Sequence, residues 1–372
     1  MADSVPLFDC RVGPEAQRLA AEILESGVLA GGASVGELEA ALSRRLGGRP
    51  VVVLSDMTQA LVLALRLSGV GQGDEVLTMA LNCMSSSTAI SLADAVPVWV
   101  DLDPATATVD LEDCRRAVTG RTKAMVVYHL AGYPADIIGC RALCAEHGMT
   151  LIEDANAALG AVFGGLPIAT VGHFGILSFY ANRQVNGVEA GALVCSTEEE
   201  AARARRLRRF GVDPSGFRDA RGEIDPTADV AEIGLSAALS NVNACLALHS
   251  LRSLAERLAA SRANAHAMRD ASEGTALRPI AWARDSDPAF WTFLVRSERR
   301  DEELARFKKL GVAASGLHQR NDRYSGFWAS RRRLPGTDVL ERELFALPVG
   351  WWITSMQMAV LTRAIRASAP PD

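Results

Sequence analysis

VVVLSDMTQALVLALRLSGV, residues 51–70, reads as one complete strand–turn–helix unit. The β-branched run Val51–Leu54 suits a buried strand, and Thr58–Ser68 reads as the helix that follows it. Between them, Ser55-Asp56-Met57-Thr58 places hydroxyl and carboxylate groups where the strand ends and the helix begins. Such a turn offers unpaired N–H groups and the positive end of a helix dipole to an anion such as phosphate. Simple helix capping by Ser55 or Asp56 accounts for the same residues equally well.

The same unit recurs on the C-terminal side. Strand Glu75–Ala80 precedes helix Ser85–Ala93, Pro97–Val100 precedes Leu111–Val118, and Ala124–Val127 precedes Asp136–His147. Strands Thr150–Glu153, Phe174–Phe179 and Ala192–Cys195 follow. Repeated βα units predict an α/β fold with a mainly parallel sheet covered by helices, whose ligands gather at the carboxyl ends of the strands. A charged helix over Glu198–Phe210 carries an arginine run that suits a solvated face, and residues 211–230 read as a loop. One long helix over Ser236–Ala265 then leads into a smaller C-terminal α/β domain. That domain holds the strand Phe290–Val295, the helix Asp301–Leu310 and a last helix at Ser355–Ala367. The division expected is 1–245 for the large domain and 246–372 for the small one.

Composition excludes several classes. The 372 residues are 49% hydrophobic and 22% charged, which describes a globular chain. A net charge of −5 gives no electrostatic reason to expect nucleic acid or an anionic membrane as partner. No apolar run approaches the roughly 20 residues of a membrane span, and MADSVPLFDCRVGPEAQ lacks the regions of a signal peptide, so a cytoplasmic protein is expected. The seven cysteines are thinly spread and fit reduced, buried thiols. Only three lysines occur, Lys123, Lys308 and Lys309, against 36 arginines, and none has a neighbourhood suited to a buried, activated amine.

Several residues could carry chemistry. Asp154 closes the strand before it with a carboxylate, able to pair with a protonated pyridine nitrogen or simply to end the strand. His129, His173 and His318 match no metal motif, so no metal is expected; each is a candidate proton carrier or a structural histidine. Cys83 opens a helix at a strand end, a place that lowers a thiol pKa, although a buried inert cysteine fits as well. Ser178 ends another strand and is a second possible phosphate ligand.

Taken in order, these segments resemble the DegT-type sugar aminotransferases, pyridoxal-phosphate proteins of fold type I. The resemblance runs from Ile23-Leu24-Glu25-Ser26-Gly27 through Ser55-Asp56-Met57-Thr58-Gln59-Ala60-Leu61 and Gly71-Gln72-Gly73-Asp74-Glu75-Val76. It continues through His129-Leu130-Ala131-Gly132-Tyr133-Pro134, Ile152-Glu153-Asp154-Ala155 and the loop Ser178–Gly191, and reaches His318-Gln319-Arg320-Asn321-Asp322 and Leu347-Pro348-Val349-Gly350-Trp351-Trp352. It implies Asp154 at the pyridine nitrogen, Thr58 and Ser178 at the phosphate, and a homodimer with its sites at the interface. It also implies a lysine where this chain has Arg183. Arginine stays protonated and is a poor nucleophile, so it cannot form the family's Schiff base.

Other departures cluster around the same positions. Met57 replaces a small residue before Thr58, Ala157 a glutamine, Leu159 a histidine and His173 an aspartate; Ser236 stands for the asparagine reaching over from the partner subunit, and Ala238 for an arginine. The pattern implies a repurposed biosynthetic site for a sugar, aminocyclitol or related small molecule, without ordinary transamination. Pyridoxal phosphate or pyridoxamine phosphate held noncovalently, or no cofactor, both agree with it. A non-catalytic subunit paired with an active paralogue is the alternative, as is an ordinary enzyme trapped by a Lys→Arg change.

Overall fold

The short β-branched runs assemble into one sheet, and the amphipathic runs between them become the helices that cover it. The structure is a computed structural model and describes residues 4–213 and 215–368; position 214, within the expected 211–230 loop, lies outside the described residues. The strands are β1 (Val51–Leu54), β2 (Glu75–Met79), β3 (Val96–Val100), β4 (Thr122–Tyr128), β5 (Thr150–Asp154), β6 (Phe174–Ser178) and β7 (Gly191–Val194). They lie in the order β1-β7-β6-β5-β4-β2-β3. Only β7 runs against its neighbours, pairing antiparallel with β1 and β6. The carboxyl ends of β1, β2, β4, β5 and β6 therefore open on one edge, as a doubly covered parallel sheet requires.

Around the sheet pack α1 (Pro14–Ser26), α2 (Ala33–Arg45), α3 (Met57–Leu67), α4 (Met84–Leu92), α5 (Leu111–Ala117), α6 (Ile137–His147) and α7 (Glu198–Leu207). Further on come α8 (Asn241–Arg252), α9 (Leu254–Ser272), α10 (Arg300–Lys309), α11 (Pro335–Glu343) and α12 (Ser355–Arg366). With them goes a small antiparallel sheet of β8 (Arg278–Pro279), β9 (Phe293–Arg296) and β10 (Leu344–Leu347). This is the fold type I arrangement expected. Among the described residues no helix is long and apolar enough to cross a membrane.

Two expectations change. The single helix over Ser236–Ala265 is instead an extended segment followed by α8 and α9, which break at Ser253. Its first residues are drawn into strand-like bridges, Leu54 with Ala238 and Arg209 with Ser236, and Ser240 then caps α8 by accepting from the Asn243 N–H at 3.2 Å. The arginines of α7 are not merely a solvated face. Arg208 donates to Glu39 Oε1 at 2.6 Å and to the Val53 carbonyl at 2.8 Å, and Arg203 pairs with Glu232 at 2.8 Å. Arg208 thereby occupies a carbonyl of edge strand β1.

The N-terminal segment crosses to the far part of the chain. Val5 bridges Val312, the Pro6 carbonyl accepts from Trp352 Nε1 at 3.0 Å, and the Phe8 ring stacks on Trp291 at 4.7 Å.

Candidate functional site

Because α3 begins directly after β1, the Ser55–Thr58 turn sits on the carboxyl edge of the sheet. Asp56 caps α3 by accepting from Gln59 N–H at 3.0 Å, so the capping explanation holds for that residue. Thr58 is half-buried on the first turn of α3, and Met57 is buried beside it, its sulfur 3.6 Å from Ser85 Oγ. Ser178, at the end of β6, is buried and accepts from the Tyr180 N–H at 3.3 Å, with its own proton free to donate. Gly191 presses on this corner: a Cβ there would lie 2.5 Å from Asp56 C and Met57 N. Thr58, Ser178 and the α3 N–H groups thus share the corner where β1, β6 and β7 meet.

Asp154 ends β5 next to them and is fully buried. Its Oδ1 accepts from Asn156 Nδ2 at 2.9 Å and Asn156 N at 3.2 Å, and its Oδ2 accepts from Ser86 Oγ. Burial pushes this carboxyl above the usual carboxylate range, while Ser86 and Asn156 pull against the rise.

Arg183 stands in the loop after β6 and is 7% exposed. Its Nε donates to the Asn156 carbonyl at 2.9 Å, Nη2 to Asn156 Oδ1 at 2.9 Å, and Nη1 to Asn182 Oδ1 at 2.6 Å. The guanidinium also lies over the Trp291 ring, 4.2 Å from its centroid. Burial lowers its pKa from the ordinary arginine value, opposed by Tyr128, Cys83 and Asp154. One amide, Asn156, therefore faces a cation on its oxygen and a carboxylate on its nitrogen. Neither Asn156 nor Trp291 is singled out by the sequence; the only local hint is that Asn156 follows Asp154 by two residues on a turn.

His318 arrives from the C-terminal part and is half-buried, with Nε2 3.4 Å from the Tyr128 hydroxyl. Burial, then the charge of Arg183, pushes its pKa down to about 4. A histidine held neutral in the fold but not in the unfolded chain costs stability in acid. Stability is expected to be full above about pH 6.5 and to fall as pH drops from about 6.5 towards about 4, by at most about 3 kcal/mol given its partly exposed edge. Urea unfolding across that range should show a weaker acid slope in His318→Asn; an unchanged slope would count against the assignment. Cys83 caps the start of α4 and accepts from Ser85 Oγ at 3.1 Å, half-buried near the same edge.

Two histidine candidates lie elsewhere. His129 is fully buried on the opposite face of the sheet, where Nδ1 accepts from Ala135 N–H at 3.1 Å and Nε2 lies 3.2 Å from Glu153 Oε2. Both ring nitrogens are engaged, leaving none for a ligand. Glu153 also accepts from the N–H groups of Ala169 at 2.9 Å, Val171 at 2.7 Å and Gly172 at 2.6 Å, so adjacent residues of β5 serve opposite faces. His173 sits at the amino end of β6, 48% exposed and 2.6 Å from Glu200, away from the carboxyl edge. Its place just before the strand expected at Phe174–Phe179 already puts it at the amino end, away from the edge where ligands gather. Ser236 is exposed on the extended segment that bonds Ser55 N to the Ala237 carbonyl at 2.9 Å.

All three lysines are exposed. Lys123 lies at the amino end of β4 and the other two on α10 or at its end, so no amine reaches the edge that holds Asp154 and Arg183.

A pyridoxal phosphate seated as the resemblance implies meets one end that suits it and one that does not. The Thr58–Ser178 corner offers hydroxyl and N–H donors fit for a phosphate. At the ring end, Asp154 is covered and already accepts three hydrogen bonds, and Arg183 supplies no amine for the aldehyde.

Comparison with known proteins agrees with the geometry. The family model described as the DegT/DnrJ/EryC1/StrS aminotransferase family matches residues 11–366. The crystal structure of AtS13 from Actinomadura melliaura is similar at 32% identity, covering 98% of each chain with a TM-score of 0.92. The sugar aminotransferase CalS13 from Micromonospora echinospora is similar at 30% identity over 98% of this chain and 99% of its own, with a TM-score of 0.91. DesV from S. venezuelae, solved with a ketimine intermediate, is 27% identical over 98% of each chain, with a TM-score of 0.90. With a match that spans nearly its whole length, the chain belongs to the DegT/DnrJ/EryC1/StrS aminotransferase family.

Proposed function

We propose that this member is a repurposed biosynthetic enzyme acting on a sugar, aminocyclitol or related small molecule without transamination. One observation carries the reading: Arg183, at the position where the resemblance implies the nucleophilic lysine, is buried and hydrogen-bonded to Asn156, while Lys123, Lys308 and Lys309 are all exposed. In this family pyridoxal phosphate supplies the electron sink when bound. The α3 N–H groups, Thr58 and Ser178 bind an anionic group of the ligand. Arg183 and Trp291 form a rigid wall against which a ring can lie. His318, neutral near pH 7 and beside the Tyr128 hydroxyl, is the group to take up or pass on a proton, with Cys83 a second candidate.

The trapped-mutant alternative fits poorly, since Asn156 and Asn182 are both shaped to the guanidinium fork. Association into a homodimer is also part of the proposal. Ser236 and Ala238 are exposed, as are the apolar Ile233 (72%), close in the chain, and Phe210 (55%), whose N–H bonds the Leu235 carbonyl, which suits a surface covered by a second copy. Light scattering should return the mass of two chains.

The test is direct. Purified protein given pyridoxal phosphate, an amino donor and keto-sugar acceptors is expected to transfer no amino group and to yield no borohydride-trapped imine. Transfer at any rate above the protein-free control, or an imine on any of the three lysines that supports it, would defeat the proposal.

A further inference from the structure

The chain from Arg183 through Asn156 to Asp154 does more than remove a nucleophile. Asp154 is fully buried and Asn156 is 2% exposed, so their hydrogen bonds form away from water. Asn156 spends both side-chain groups at once: its amide N–H donates to Asp154 and its carbonyl accepts from Arg183. The donation to Asp154 is the interaction that a protonated ring nitrogen would make. The cation balancing the carboxylate likewise comes from within the chain. Ser86 occupies the second carboxylate oxygen, and Asn182 and Trp291 hold the guanidinium in place.

We infer that Asn156 and Arg183 together replace the cofactor: they occupy the seat of its ring, so this site works without pyridoxal or pyridoxamine phosphate. The inference rests on the repurposed-site reading and goes one step further, because a lysine-less site could still hold a cofactor noncovalently. Removing a cofactor alone would strand a buried carboxylate, which is costly unless a partner takes over. Asn156 is that partner, and Arg183 is oriented by it. Three of the five guanidinium N–H groups are committed to this arrangement, which keeps the side chain folded against the loop instead of reaching for a ligand.

The seat should therefore reopen only when both residues change. Wild-type protein, Arg183→Lys and the double variant Arg183→Lys/Asn156→Ala are each dialysed against excess pyridoxal phosphate and, separately, pyridoxamine phosphate. Retained cofactor is measured per chain, and borohydride adducts are mapped by mass spectrometry. The wild type is expected to retain neither compound and to show no shift in melting temperature with either. Arg183→Lys should trap little, and the double variant, checked for folding by near-ultraviolet circular dichroism, should carry an adduct on residue 183 at least about tenfold more abundant. Stoichiometric retention of either compound by the wild type overturns the inference, whatever the double variant does. So does equal trapping by the single and double variants, or no trapping by a folded double variant. Retention by the wild type without an imine or amino transfer would sink this inference alone and leave the loss of transamination standing.

Discussion

Replacing Arg183 by alanine is expected to cost the fold about 3–5 kcal/mol, because three hydrogen bonds from a charged donor are lost and two buried acceptors are left unsatisfied at roughly 1–3 kcal/mol each. The substitution leaves the buried Asn156 carbonyl and Asn156 Oδ1 without their donors, and with them the half-buried Asn182 Oδ1. It also removes a buried positive charge that interacts with Asp154 and strips a planar group from the Trp291 ring. In the active members of a lysine-bearing family the residue at this position serves chemistry, and losing it need not weaken the fold. Here the opposite result is expected. Urea unfolding of wild type and Arg183→Ala, at pH 7.5 or so where His318 is neutral, measures the difference; a loss below about 1 kcal/mol would show that the guanidinium is not structural.

The second large effect is expected at Glu153. Its carboxylate accepts from three backbone N–H groups and lies against His129, and the residue has no exposure at all. Glu153→Ala leaves all four donors buried and unpaired, which at roughly 1–3 kcal/mol per unsatisfied group is enough to threaten folding. Glu153→Gln keeps the volume, but its amide turns two donors towards donors already present, so about 3 kcal/mol is expected even for this mild change. His129→Asn should cost less, since it removes one contact and leaves the three backbone bonds. Melting temperatures of the three variants give the order; if His129→Asn proved the worst, Glu153 would not be the anchor of the 169–172 loop.

Much of the architecture is legible from local rules. Runs such as Val51–Leu54 and Glu75–Ala80 are short and apolar, and each is followed by a break and then a helical spacing, so most strands and helices fall within two residues of the expected places; α7 ends three residues early, at Leu207, and β9 begins three late, at Phe293. The helix expected over Ser236–Ala265 fails because its opening residues satisfy helical spacing yet find strand partners at Leu54 and Arg209, a tertiary choice that no local pattern records. The site divides in the same way. Asp154, Ser178 and Thr58 sit at strand or helix ends, positions that the topology alone brings to one edge. Asn156, Tyr128 and Trp291 become partners of Arg183 or His318 only through folding across 27 residues and more, so spacing carries no trace of them, whereas Asn182 is Arg183's neighbour in the chain. His173 and His129 were plausible by type, but strand polarity and sheet face put both on the wrong side.

The N-terminal segment has a consequence for how the protein is made. Pro6 is held by Trp352, 346 residues away, and Ser4 by Gln357, 353 residues away. A ribosome must deliver roughly 350 further residues after this segment before these contacts can close, and at about 5–20 residues per second that wait is many seconds long. Through the interval Phe8 has no Trp291 to stack on, because residue 291 is itself late to emerge. The wall behind Arg183 is thus among the last parts to be completed, and the sheet must stand without it first.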